Sequence, residues 1–336
     1  MSRYILYSFI LYFIISFFSC RTTPIVYDRS NDPRNREVIM INVLIENKKY
    51  EEAEIKIREE LVIYPNNIDF LLQLGWLFLV QKRLSDSEIV FKDIIEREKS
   101  VPLAYLGLAK IARFMEDKNS AFYYIEKGLK YSKVISDLYM ERGILFYQDG
   151  QYSKALKDFN TVLILDYRSI EATFYKYLML LLQGEDVDSI KHYWNKVLES
   201  SPLEEYYFLY HTEALERVGK HKLAESILKQ GLSFFPDGVY LLNSYSYFLY
   251  NSYLKSDNEE EKNSFLSEAL LNIEKCIKTG EENNLLEPYF LDSYFLILEA
   301  KGNQDKIQNN LKKYIYLYPD SIYLIDWTKK YGGNVL

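Results

Sequence analysis

Histidine, cysteine, proline and glycine are all scarce in this chain of 336 residues, and each scarcity closes a route. The three histidines, His192, His211 and His221, fall in no HxxxH or HExxH spacing and so offer no metal-ligand pattern. A CxxC pair, a GxSxG elbow and a glycine-rich phosphate loop are missing, and no general base stands near the Cys276 thiol in sequence. No catalytic residue, metal site or cofactor is assigned, and the chain reads as a non-enzyme. A basic excess is missing too. Lys and Arg number 41 against 48 Asp and Glu, a net charge of −7, which speaks against nucleic acid and against an electrostatic hold on anionic lipid. No long segment alternates as a strand does. The 8 prolines and 13 glycines gather at turns, leaving the rest of the chain to helices.

What is present is a beat. A small residue returns every 34 positions at Ala53, Ser87, Ala121, Ala155 and Ser189, then after 35 at Ala224. Four residues after each of the first five stands a large apolar one: Ile57, Phe91, Ile125, Phe159 and Tyr193. One helical turn separates the two, so each pair shares a helix face. Twelve residues before the beat come Gly75, Ala109 and Gly143, where a preceding helix must pass closely. Gly150, Gly184, Gly219 and Gly302 stand five residues before the beat, placed to end one helix in a left-handed conformation. Pro65, Pro236 and Pro319 stand twelve residues after it and stop the second helix.

This combination resembles the tetratricopeptide repeat (TPR). The resemblance rests on Leu74-Gly75 with Phe78 and Phe91, and on Arg142-Gly143 with Phe146, Gly150, Tyr152, Ala155 and Phe159. The stretch Tyr289-Phe290-Leu291-Asp292-Ser293 ending at Gly302 looks like a bacterial variant. It implies an all-α, right-handed superhelical solenoid of about eight TPR-like helix-turn-helix repeats over residues 37–320, with a C-terminal capping helix and tail at 321–336. Another α-hairpin array, such as a Sel1-like one, is the alternative, and the period favours TPR. A partner-binding tail is the alternative to the cap. Departures are Lys99 and Lys133 where proline is common, an insertion from Lys255 to Ser264 that moves the small residue to Ala269, and Ile307 in a small-residue place. Glu259-Glu260-Glu261 reads as the solvated tip of an inserted loop, or as a docking point for a basic partner. Cys276 takes the place of Gly128 and Gly231 in other repeats and reads as a buried packing residue rather than a reactive thiol.

Residues 1–19 are of another kind. One charge, Arg3, precedes an uncharged apolar run from Tyr4 to Phe18, short for a membrane span of about 20 residues and suited to a signal-peptide core. The following Ser19-Cys20 resembles a bacterial lipobox, with Phe17 and Phe18 replacing the usual aliphatic and small residues. The resemblance implies removal of 1–19 and lipid on Cys20, with 20–36 a lipidated N-terminus and flexible tether carrying Pro24 and Pro33. An uncleaved short membrane anchor and a conventionally secreted protein are the other two readings.

In TPR arrays the first helix of each repeat lines a concave groove. Carried onto this sequence, that face holds Trp76, Lys110, Arg113, Tyr147, Phe174, Tyr206 and Glu213, then Tyr240, Asn243, Tyr247, Tyr250, Tyr289 and Asp292. Aromatic anchors among polar neighbours suit a protein or peptide partner. Lys110 with Arg113 suits a carboxylate, as in TPR grooves that capture peptide C-termini. The competing account is nucleotide bias, since the 32 Tyr and 19 Phe have AT-rich codons. The leading expectation is an interaction adaptor lipid-anchored to the inner or outer membrane of a bacterial envelope, facing the periplasm. The alternatives are a subunit of an outer-membrane protein assembly or export machine, and a solenoid scaffold for a small-ligand sensor or enzyme.

Overall fold

A computed structural model of the chain describes residues 34–200 and 203–332. Cys20, the signal-peptide segment and the tether up to residue 33 lie outside the described residues. Among the described residues there are seventeen helices and no strand. They fall into two compact units, residues 34–200 and residues 203–332.

The first unit holds five helix pairs: α1 (Arg34–Glu46) with α2 (Tyr50–Ile63), α3 (Ile68–Val80) with α4 (Leu84–Arg97), α5 (Pro102–Phe114) with α6 (Lys118–Tyr131), α7 (Ser136–Gln148) with α8 (Tyr152–Leu165), and α9 (Ile170–Leu182) with α10 (Val187–Leu198). The second holds α11 (Glu205–Arg217) with α12 (His221–Phe234), α13 (Val239–Lys255) with α14 (Glu259–Glu282), α15 (Pro288–Ala300) with α16 (Gln304–Leu317), and a last helix α17 (Ile322–Tyr331). Each 34-residue period is thus one hairpin of two helices, and within each unit successive hairpins stack.

The small residues sit where helices cross. Ala53, Ser87, Ala121, Ala155, Ala224 and Ala269 are fully buried, and the Ser87 hydroxyl donates 2.8 Å to the carbonyl of Gly75 on the facing helix. The large residues one turn on fill the space beside them. The ring of Phe91 enters a slot between α3 and α5: a Cβ on Gly75 would lie 2.7 Å from it, and one on Gly107 2.2 Å. Phe159 meets Gly143 in the same way, at 2.6 Å. Glycine at these places is a packing requirement, because any side chain would displace a fully buried ring.

The turns follow the same beat. Gly150, Gly184, Gly219 and Gly302 all have positive φ, between 70° and 89°. The equivalent turns of the first three hairpins use Lys48, Lys82 and Glu116 at φ of 59° to 61°, where an L side chain is strained. Asn67, Asp117, Ser169 and Asp186 cap the helices that follow them, each accepting a backbone N–H three residues on.

Two expectations need correction. Ser189 is exposed, and α10 instead buries Ile190, Trp194 and Val197. One extra residue in the turn after Gly184 moves the N-cap to Asp186, so the slip in the beat lies one hairpin earlier than the interval from Ser189 to Ala224 suggests. The insertion from Lys255 to Ser264 is not a loop. It lengthens α13 to 17 residues and starts α14 ten residues before Ala269, where the other second helices start two or three before their small residue. Glu259, Glu260 and Glu261 form the first turn of α14, a favourable place for carboxylates at a helix N-terminus, and the Asn258 side chain accepts from the N–H groups of Glu260 and Glu261.

Cys276 is fully buried, its Sγ 3.2 Å from the Val239 carbonyl, and burial pushes its thiol well above the usual range. At the end of the second unit α17 buries Leu324 and Trp327 against α15 and α16, and Trp327 Nε1 donates to Asp292 Oδ1 at 2.6 Å.

Candidate partner-binding faces

In the first unit the first helices of successive hairpins, α3, α5 and α7, lie side by side. All thirteen residues of α5 are buried. Lys110 and Arg113, three apart on one face of α5, both reach Glu141 on α7: Lys110 Nζ to Oε1 at 2.9 Å and Arg113 Nε to Oε2 at 2.7 Å. The carboxylate that these cations suit is therefore supplied from within. Burial pushes the Glu141 carboxyl up, but the charges of Arg113 and Lys110 outweigh it and hold the group ionised, down at about 2. Glu171, at the start of α9, has the opposite fate. Burial raises it to about 7, the charges of Glu141 and Asp137 add to that, and those of Lys110 and Arg113 oppose it.

The remaining candidates of this unit are packing residues. Trp76 is buried edge-on against Phe91, 5.1 Å between centroids. Tyr147 is buried 5.9 Å from Tyr175, and Phe174 is buried 6.3 Å from Trp194. Arg142, also on α7, binds Asp158 of α8 through two nitrogens at 2.8 and 2.9 Å and Glu126 of α6 at 2.6 Å, tying two hairpins together.

The second unit presents a different face. Its first helices α11, α13 and α15 also lie side by side. Their buried polar groups are mostly neutral: His211 and Thr212 on α11, Asn243 and Ser246 on α13, Ser293 on α15. Burial drives the His211 imidazolium down to about 3, so the ring is neutral near pH 7. Thr212 Oγ1, Asn243 Oδ1 and Ser293 Oγ are shut off from solvent with no hydrogen-bond partner among the described residues. Buried polar atoms in that condition are uncommon in folded proteins and mark places where a ligand group or water is wanted.

Of the remaining candidates, Tyr206, Tyr289 and Asp292 are buried, the first against Tyr210 and the second against Phe290. Glu213 is half-buried and accepts from Arg217 at 2.5 Å. Tyr240, Tyr247 and Tyr250 of α13 are half-buried, with the rings of Tyr247 and Tyr250 6.3 Å apart. Asn243, Tyr247 and Tyr250 are spaced by four and three residues and so form one stripe of α13.

Sequence reading missed Glu141, Glu171, His211 and Thr212. The available signal for Glu141 was an acidic residue in the middle of α7, once Lys110 and Arg113 needed a counter-charge. Nothing in one sequence distinguishes Glu171 from a helix-start carboxylate at the surface. Among the described residues no group of three or more His, Cys, Asp or Glu is placed to hold a metal, and no helix is long and apolar enough to cross a membrane.

No protein-family model matches the sequence, and no curated protein matches it. Solved structures do. The APC/C hetero-tetramer Cut9-Hcn1 matches at 11% identity and a TM-score of 0.59, over 81% of this chain and 50% of that one. A tetratricopeptide repeat protein from Parabacteroides merdae matches at 18% identity and 0.51, over 78% of this chain and 97% of that one. MamA matches at 20% identity over 48% of this chain and 88% of that one, with a TM-score of 0.38. At these identities the likeness concerns the fold, and the fold is that of a tetratricopeptide-repeat array.

Proposed function

We propose that this chain is a non-enzymatic interaction scaffold that takes an extended peptide or a protein segment on the inner helices of its second unit. One observation carries this reading: the stripe of Asn243, Tyr247 and Tyr250 on α13, two half-buried aromatic rings beside a buried amide oxygen that has no hydrogen-bond partner among the described residues. Half-buried tyrosines give large contact area at low entropic cost. The first unit, where α5 is wholly buried and Lys110 and Arg113 hold Glu141, serves as framework. Site-specific photocrosslinking from position 247 in intact cells tests the reading. A discrete adduct that disappears in a Tyr250→Ala background is expected; no adduct from 247, with the chain folded, contradicts it.

We further propose that the scaffold is held at a bacterial envelope membrane through lipid on Cys20, which accords with the lipobox-like Ser19-Cys20 after an apolar run. Radioactive palmitate incorporated by the wild type and not by Cys20→Ala is the expected result, and equal labelling of the two contradicts the tether.

A further inference from the structure

The first and last described helices meet water differently. α17 turns a mixed face outward: Ile322 and Ile325 are exposed beside Asp326 and Lys329, which pair with each other at 3.4 Å. A polar outer face is what a terminal repeat needs. α1 lacks one. Its inner face carries Ile41 and Ile45 into the core of the first hairpin. On the opposite face Ile39, Met40 and Val43 are about half exposed, at 54, 44 and 47%. Their spacing puts all three on one side of the helix.

Later hairpins show what that side is for. One period on, the same places hold Gln73, Leu74 and Leu77 of α3; two periods on, they hold Gly107, Leu108 and Ile111 of α5. All six are buried. Leu74 and Leu77 share one core cluster with Ile41 and Ile45 of the hairpin before. A first helix thus gives this side to a preceding hairpin, and among the described residues no helix precedes α1.

The charges of α1 point to the occupant. Arg36 stands in its first turn and Glu46 is its last residue, and both are exposed. Each opposes the helix dipole, which favours acid at the start and base at the end. At 3.6 residues per turn they fall with the three apolar residues in one sector of about 120°. The five are also arranged symmetrically: 36 and 46, like 39 and 43, are equidistant from 41. Laid antiparallel on its own copy about that point, α1 sets Arg36 opposite Glu46 at both ends. Ile39 then faces Val43 on each side of the axis, and Met40 lies beside Met40 of the second copy. A twofold interface requires a patch that complements itself in this way.

We propose that α1 is a self-association face, and that its occupant is α1 of a second copy of this chain, antiparallel about a twofold axis. The helix is about 20 Å long, so the contact falls below the roughly 1,200–2,000 Å² of stable dimers and the pairing is reversible.

Sedimentation equilibrium of the full chain in density-matched detergent tests this. A monomer–dimer equilibrium is expected. Arg36→Glu alone or Glu46→Arg alone should weaken it by about tenfold, since like charges then face each other at both ends. Arg36→Glu/Glu46→Arg should bring it back to the wild-type value. Both reversals suit the helix dipole, so circular dichroism should match the wild type. Val43→Asp should leave only monomer. A monomer at every concentration overturns the proposal, whether the face stays bare or is covered by the chain's own residues 20–33. So does a dimer indifferent to Val43→Asp, or a double reversal that fails to restore the pairing. Assemblies growing beyond the dimer also overturn it, since they are the mark of copies stacked head to tail.

Discussion

The two units bury polar groups on corresponding helices in opposite ways. In the first, Lys110 and Arg113 on α5 enclose Glu141 on α7, a set of full charges with almost no solvent contact. In the second, the first helices of the hairpins bury mostly neutral groups, an imidazole, hydroxyls and an amide, with Asp292 the carboxylate among them. A closed set of charges fixes one arrangement, because each ion loses its counter-ion if a helix shifts. Neutral groups, of which Thr212, Asn243 and Ser293 each hold an atom with no hydrogen-bond partner among the described residues, fix less and leave room for a ligand. The largest test of this contrast is Glu141→Gln. Removing one partner of a buried ion set costs about 3–5 kcal/mol, so urea unfolding followed by hydrogen exchange should show α5 and α7 losing protection far more than α11 and α13. The triple replacement Lys110→Met/Arg113→Leu/Glu141→Leu removes the charges together and should restore most of that loss. If the single variant costs under about 1 kcal/mol, the charged face is not the stiffer one.

Acid should separate the units in the other direction. His211 is held near 3 in the fold, against about 6.5 unfolded. Its neutral state therefore contributes stability that is complete above pH 6.5 and is lost as pH falls toward 3, at no more than about 1.4 kcal/mol per pH unit. Glu171 is raised to about 7, against about 4.5 unfolded, so its contribution is complete below 4.5 and is lost as pH rises through 7. Between pH 7 and 4.5 the first unit gains from Glu171 while the second loses through His211. Hydrogen exchange across that interval should show α11 opening more as pH falls and α9 opening less, after correction for intrinsic exchange. Glu171→Gln should flatten the α9 trend and leave the α11 trend alone.

The difference between the units also measures what could be read in advance. The helix pairs, the closure of Ala53 to Ala155 and the four left-handed glycines were legible, because each rests on spacing within one hairpin. The fate of the candidate face was not. Whether Lys110 meets solvent or Glu141 depends on residues 31 positions apart meeting across two helices, which no local pattern encodes. The inserted segment misled for a related reason. Its polar composition reads as loop, yet Asn258 caps it and packing on α13 makes it helix. The seat of Phe91 was half legible. Gly75 fell on the beat, but Gly107, which lies closest to the ring, did not. Gly107→Ala forces a 2.2 Å contact and should cost about 1–3 kcal/mol, while Gly231→Ala in the second unit meets Phe208 and Leu241 at 3.0 Å and should cost less. Equal melting shifts for the two would mean the slot yields.

The smallest contrast lies in the hairpin turns. The second unit places Gly219 and Gly302 at the left-handed position, while the first unit uses Lys48, Lys82 and Glu116 at three of its five turns. An L residue there costs about 1–2 kcal/mol, and glycine removes that strain but adds freedom to the unfolded chain, so the net gain from substitution is nearer 1 kcal/mol. Glu116→Gly is the cleanest trial. Glu116 is exposed, so no packing is lost, and the N-cap bond that Asp117 makes to Ser120 lies outside the substituted residue. A melting temperature raised by a few degrees is expected, with Gly219→Lys lowering it by a similar amount in the other unit. A lowered value for Glu116→Gly would show that the lysine and glutamate turns are held by contacts of their own, and that the first unit is not paying strain where the second avoids it.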